Sequence, residues 1–262
     1  MVDRDIGPCL RRGDGIEMPA TPAWPPASTP RLFIDQPLDE GIALVLDGPQ
    51  ANYLANVMRL KAGDPVRLFD DRTGEWLATV ADAAKRTITL AVQGRLGARE
   101  IVPDLWLLFA PIKKGRIDWL IEKATELGVA RLQPVITQRT IVDRLNLDRL
   151  RAHMIEAAEQ CDRTALPLLD EPVKLAALLR TWDADRALIF ADETGGAPLA
   201  QVAKPGPAAI LVGPEGGFTD EERAAIGRVA VACPVGLGPR ILRADTAAAA
   251  AIAVWMAAAG DW

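Results

Sequence analysis

Two glycine-rich turns constrain this chain more than any other feature: LVGPEGG from Leu211 to Gly217, and LGPRILRADT from Leu237 to Thr246. Each follows an apolar run and precedes a helix-like stretch. A glycine-rich turn after a strand lets backbone amides approach a small molecule, and the helix start behind it offers unpaired N–H groups. The two turns are therefore expected to form two walls of one ligand site in an α/β fold. Spacing excludes the common nucleotide cradles. A G-x-G-x-x-G reading from Gly236 puts Ile241 at the third glycine, and no G-x-x-x-x-G-K-[S/T] occurs.

Other chemistries are narrowed by what the 262 residues contain. Cys9, Cys161 and Cys233 are far apart and odd in number, against a disulfide framework or a paired thiolate metal site. His153 is the only histidine and Ser28, among prolines, the only serine, so a serine nucleophile and a histidine-rich metal centre are both disfavoured; no metal is expected. The N-terminus carries Asp3, Asp5, Asp14 and Glu17 without a continuous apolar stretch, and Ala244 to Ala259 is too short and alanine-rich for a membrane span. These features predict a soluble, cytoplasmic protein without membrane contact. With 30 basic and 35 acidic residues, the net charge of -5 gives no whole-chain field for nucleic acid. Local basic clusters occur at Arg59, Lys61, Arg67 and Arg72, and at Lys113, Lys114 and Arg116.

Texture divides the chain. Residues 1–30 hold Pro19, Pro22, Pro25, Pro26 and Pro30 and read as a flexible leader. From 31 to 98, apolar runs at 32–34, 42–46, 66–69, 76–80 and 87–92 alternate with turn signals, as in a small β-barrel or sandwich, with one helical interruption over 50–60. From 99 to 262, strands predicted at 105–109, 132–136, 187–191 and 208–212 alternate with helices at 116–127, 148–160, 173–179, 220–227 and 242–259. Thr219 and Glu222 fit a capping box.

At GPEGG (213–217) and LGPRILRADTA (237–247) the chain resembles the SPOUT class of methyltransferases, in particular the RsmE family, which methylates N3 of a uridine in small-subunit (16S) ribosomal RNA. IKKGRIDWLIEKATELGV (112–129) and EAAEQCDR (156–163) strengthen the resemblance. It implies an N-terminal PUA-like β-barrel for RNA and a C-terminal SPOUT α/β domain with a trefoil knot. It also implies S-adenosyl-L-methionine (SAM) as cofactor, a homodimer with a shared site, and the 30S subunit as partner. Three positions depart from the family pattern. Gln138 stands where a glutamate is common, Asp245 shortens a common glutamate by one methylene, and the barrel helix around Asn52 to Asn56 lacks a histidine.

The resemblance assigns the cofactor to backbone and apolar groups of Leu211, Val212, Gly213, Pro214, Glu215, Gly216 and Gly217. A second group comprises Val235, Gly236, Leu237, Gly238, Ile241, Leu242, Arg243 and Thr246, and the segment from Ala191 to Thr194 closes a third side. Methylation at uridine N3 requires loss of a proton, hence a base or a charge that stabilises the developing uridinate. Arg240 and Arg243 are the candidates for charge stabilisation; Glu215 and Asp245 are alternative proton acceptors. Arg59, Arg67 and Arg72 of the barrel, with Lys113 and Lys114, are candidate RNA contacts, and Arg139 and Arg163 are expected near RNA or the opposite subunit. Trp76 is a stacking candidate or a core residue, and His153 a helix-surface or interface residue. Competing readings are a SPOUT methyltransferase acting on another RNA nucleotide or ribose, and a noncatalytic RNA-binding ribosome-assembly protein.

Overall fold

The computed structural model describes residue 25 and residues 28–142 and 144–262. The leader, with Cys9, lies almost wholly outside the described residues.

The first sheet is built from β1 (Arg31–Phe33), β2 (Ala43–Leu46), β3 (Pro65–Phe69), β4 (Glu75–Ala83) and β5 (Ile88–Gly97), in the order β1-β3-β4-β5-β2. All pairings are antiparallel except β1 with β3. Period-two burial in β2 and β4 turns Leu44, Leu46, Trp76, Ala78 and Val80 onto one core. Trp76 belongs to that core, its Nε1 donating to Thr73 Oγ1 at 2.8 Å, and is not a base-stacking surface. The helical interruption begins two residues earlier and ends three residues earlier than predicted. Helix α1 (Gly48–Asn52) passes directly into a π-helical turn (Tyr53–Val57) that buries Leu54.

The second sheet is parallel throughout. Its strands are β6 (Leu105–Phe109), β7 (Arg131–Ile136), β8 (Leu168–Leu169), β9 (Val173–Lys174), β10 (Ala187–Ala191), β11 (Ala197–Pro198), β12 (Ala208–Val212) and β13 (Ala232–Gly236). They run β11-β13-β10-β12-β6-β7-β8, with β9 also on β7. Helices α2 (Arg116–Glu126), α3 (Leu147–Gln160), α4 (Leu175–Arg180), α5 (Leu199–Val202), α6 (Asp220–Gly227) and α7 (Ala244–Ala259) cover both faces. Ile189, Ile210 and Val212 pack with α2 and α7, whereas Leu188, Phe190 and Leu211 pack with α4 and α6. Burial on both faces accounts for continuous apolar strands such as β12. The helix predicted over 173–179 begins two residues late because Val173 and Lys174 pair with Val135 and Ile136. The terminal helix starts at Ala244, with Leu242 and Arg243 in the loop before it.

The two sheets are joined by charged side chains consumed at the seam. Arg31 donates to Glu75 (2.6 Å) and to the carbonyls of Ala158 (2.6 Å) and Arg163 (2.8 Å), while its guanidinium lies 3.9 Å from the centre of the Phe69 ring. Arg163, 4% exposed, donates to the carbonyls of Thr125 and Val129 at 2.6 Å. It is therefore not an RNA or partner contact: its two Nη groups are held by backbone acceptors and its Nε lies 3.6 Å from Glu100. Arg67 is also committed, to Glu75 (2.8 Å) and Asp162 (2.9 Å). Among the described residues no helix is long and apolar enough to cross a membrane.

Candidate active site

Three strands carry the site. Ala191 at the end of β10 is level with Val212 of β12 on one side and Val235 of β13 on the other, so the three following loops open side by side at the carboxyl edge. Such an edge is where open parallel sheets take ligands. The loops enclose a cavity of about 340 Å³.

Of the residues expected there, Ala191, Val212, Gly213, Pro214, Glu215 and Gly217 line it from the first two strands. Val235, Gly236, Leu237, Gly238, Arg240, Ile241, Leu242 and Arg243 line it from the third. Five expected residues do not, Thr194 among them. Leu211 points to the opposite face of β12 and packs with α4 and α6; Gly216 faces Arg139, whose Cδ is 3.3 Å from the position of a Cβ there. Thr246 is exposed on α7, and Asp245 turns its Oδ1 to the Thr246 N–H at 2.9 Å. Glu215 is thus the cavity carboxylate of the two candidate proton acceptors.

The third wall is the acidic segment expected after β10. Asp192, Glu193 and Gly195 line it, together with Phe218, Pro239 and Arg223 from α6. Arg223 ties this wall to α6 by pairs with Asp192 (3.1 Å) and Glu193 (2.9 Å). The run DETGG continues that segment as a third glycine turn, but nothing local in the sequence identifies Arg223 as its partner. Gly196 is required by contact: a Cβ would lie 2.3 Å from the Pro234 carbonyl oxygen. Gly217 is required by conformation, with φ of +68°, and a Cβ would meet Glu193 Oε1 at 2.8 Å.

Charge at the mouth contrasts with this tied wall. Arg240 and Arg243 are exposed, and no ion pair among the described residues engages either. Arg139 is exposed but donates Nη1 to the Gly216 carbonyl, which makes it a support of the glycine turn. Arg59, in a left-handed turn with φ of +57°, Lys113 and Lys114 are exposed, and Arg72 is half-exposed at 3.5 Å from Asp35. His153 lies between helices, 2.9 Å from Glu122 and 3.7 Å from Asp118, and does not line the cavity. No group of three or more potential metal-ligating side chains gathers among the described residues.

Comparison with known proteins agrees with this architecture. The pattern of an RNA methyltransferase domain matches residues 99–256, and that of an RNA methyltransferase PUA domain matches residues 46–93. Ribosomal RNA small subunit methyltransferase E of Rickettsia conorii is 30% identical over 229 residues, 85% of this chain and 93% of that protein. The chain belongs to the ribosomal RNA small subunit methyltransferase E family. The family member from Synechocystis is 33% identical over 221 residues, 80% of this chain and 71% of its own. Two solved structures share the fold over 89% of this chain and 99% of theirs. One is a methyltransferase from Legionella pneumophila in complex with bound SAM (29% identity, TM-score 0.81). The other is the methyltransferase E of Neisseria gonorrhoeae bound to S-adenosyl methionine (27% identity, TM-score 0.82). In this member of the methyltransferase E family, position 138 acts through its backbone: the Gln138 N–H donates to Glu222 Oε1 at 2.8 Å.

Proposed function

We propose that this chain transfers the methyl group of S-adenosylmethionine to N3 of a uridine in small-subunit ribosomal RNA, with the assembled 30S particle as substrate. The observation that carries the reading is the cavity shared by the three loops after β10, β12 and β13. Its volume lies in the range of small-molecule sites, and its lining fits the cofactor: apolar cover from Leu237, Leu242 and Phe218, with backbone polar groups on turns that carry no obstructing Cβ. When bound there, S-adenosylmethionine supplies a sulfonium-activated methyl group, so alignment with the acceptor nitrogen is the main catalytic demand.

The chain's own groups meet that demand at the mouth. Arg240 and Arg243 hold fixed positive charge where the uridine becomes anionic, and the start of α7 directly after Arg243 adds the partial positive charge of a helix N-terminus. Glu215, on the cavity wall, takes the N3 proton directly or through a water. Residues 31–98 serve as the RNA-binding barrel and 99–262 as the methyltransferase unit. Arg59, Arg72, Lys113 and Lys114 supply phosphate contacts that orient a structured RNA. The trefoil knot implied by the family belongs to this unit, whose last helix, α7, packs on β12 and β6. The half-buried alanine face of α7, including Ala249, Ala250 and Ala253, is a close-packing surface for a second copy of the chain.

The test is methyl transfer onto assembled small subunits and onto naked ribosomal RNA, followed by nucleoside analysis. N3-methyluridine formed on the particle is the expected product. A methylated ribose, a different base, or transfer RNA as the preferred acceptor would replace this reading.

A further inference from the structure

We infer that Glu222 is a positioning residue for the ligand cavity, acting at a distance through the loop between β7 and α3. The inference rests on reading that cavity as the S-adenosylmethionine site. Glu222 is 8% exposed on the first turn of α6. Its N–H donates to Thr219 Oγ1 (3.2 Å) and its Oε2 accepts from the Thr219 N–H (3.0 Å), which completes the capping box. A capping box uses one carboxylate oxygen. Here the second, Oε1, leaves the helix and accepts the Gln138 N–H at 2.8 Å, across 84 residues of sequence.

What Gln138 carries next makes this bond consequential. The loop is closed on itself, with the Thr137 N–H donating to Thr140 Oγ1 at 2.9 Å, so holding Gln138 holds Arg139. Arg139 donates to the Gly216 carbonyl. That peptide separates Glu215 from Gly217, both of which line the cavity, and the turn is pinned again by the Gly217 N–H on the Pro214 carbonyl at 2.8 Å. Two hydrogen bonds joined by the Gln138–Arg139 backbone therefore connect Glu222 to the glycine turn at 213–217. Glu222, Gln138 and Arg139 themselves do not line the cavity. Their effect is to fix the Gly216 peptide before any ligand arrives, which lowers the ordering cost of binding.

Glu222→Gln tests this because an amide has one acceptor oxygen, so either Gln138 or Thr219 loses its partner. Titration calorimetry with S-adenosylmethionine compares wild type, Glu222→Gln, Arg139→Ala, the double variant and Thr219→Ala. Glu222→Gln is expected to weaken binding roughly tenfold, and Arg139→Ala, whose bond to Gly216 is solvent-exposed, about threefold to tenfold. The double variant is expected to be no weaker than the poorer single, because both cut the same connection. Thr219→Ala, which removes the cap but keeps the bond to Gln138, lowers the melting temperature and leaves affinity within about twofold. Without ligand, amide exchange at Gly216 and Gly217 accelerates in Glu222→Gln and not in Thr219→Ala.

Unchanged affinity in both single variants, or additive losses in the double, overturns the inference. If Glu222→Gln does not fold, Arg139→Ala at an exposed position still decides it through affinity and exchange. Wild-type protein that takes no S-adenosylmethionine overturns the reading of the cavity instead, a result distinguishable from wild-type binding with insensitive variants.

Discussion

The arginines at the cavity mouth and those at the seam between the two sheets are the same side chain put to opposite uses. At the seam, Arg31 and Arg163 are buried, and Glu75 and four backbone carbonyls accept from Arg31 and from both Nη groups of Arg163. At the mouth, Arg240 and Arg243 are exposed beside a cavity, with donors directed at nothing in the described chain. A guanidinium whose donors are consumed supports the fold, whereas one left with open donors at a ligand site is available to a substrate.

Substitution at the seam breaks this contrast most severely. Arg163→Met and Arg31→Met should each lower unfolding free energy by about 3 kcal/mol, since buried carbonyls lose charged donors. Urea titration of each variant measures this, and a change below about 0.5 kcal/mol would mean the seam tolerates unpaired carbonyls. At the mouth the effect moves to rate. Arg240→Ala and Arg243→Ala should each slow methyl transfer about a hundredfold, the scale of one lost transition-state donor, with urea midpoints unchanged. Equal turnover in both variants would remove charge stabilisation from these positions.

A smaller difference separates the barrel's arginines. Arg72→Ala should weaken binding to small-subunit RNA severalfold and reduce the salt dependence by about one phosphate contact. Arg67→Ala, whose donors face Glu75 and Asp162, should leave the salt slope unchanged while reducing stability. A reduced slope for Arg67 would show that its ion pairs open to admit phosphate.

The smallest effect is in acid. Burial alone would raise the Asp70 carboxyl, but hydrogen bonds from the Thr73 hydroxyl and from the N–H groups of Arg72, Leu38 and Thr73 outweigh it and hold the group below its ordinary value. Asp70 therefore contributes stability above the unfolded-chain value of about 3.9, and that contribution is lost as pH falls through the depressed value. Asp70→Asn should flatten the acid limb of the stability profile, measured by urea midpoints from neutral pH downward. Parallel limbs for the two proteins would place acid sensitivity elsewhere, such as in the Asp104 carboxyl, which the Arg186 side chain holds low.

Local order in the sequence determined a good deal of this protein. Alternating short strands through residue 97, strand and helix alternation beyond it, two glycine turns after apolar runs, and the capping box at Thr219 are all short-range patterns of backbone preference and burial. Tertiary structure alone decided which side chains those turns present. Leu211 and Val212 are neighbours on one strand but face opposite layers, Arg163 reads as a basic surface residue until its acceptors at Thr125 and Val129 are known, and Glu222 meets Gln138 from 84 residues away. The physical reason is that propensity acts over a few residues, whereas the availability of a charged group depends on which distant donors and acceptors the fold brings within reach of it.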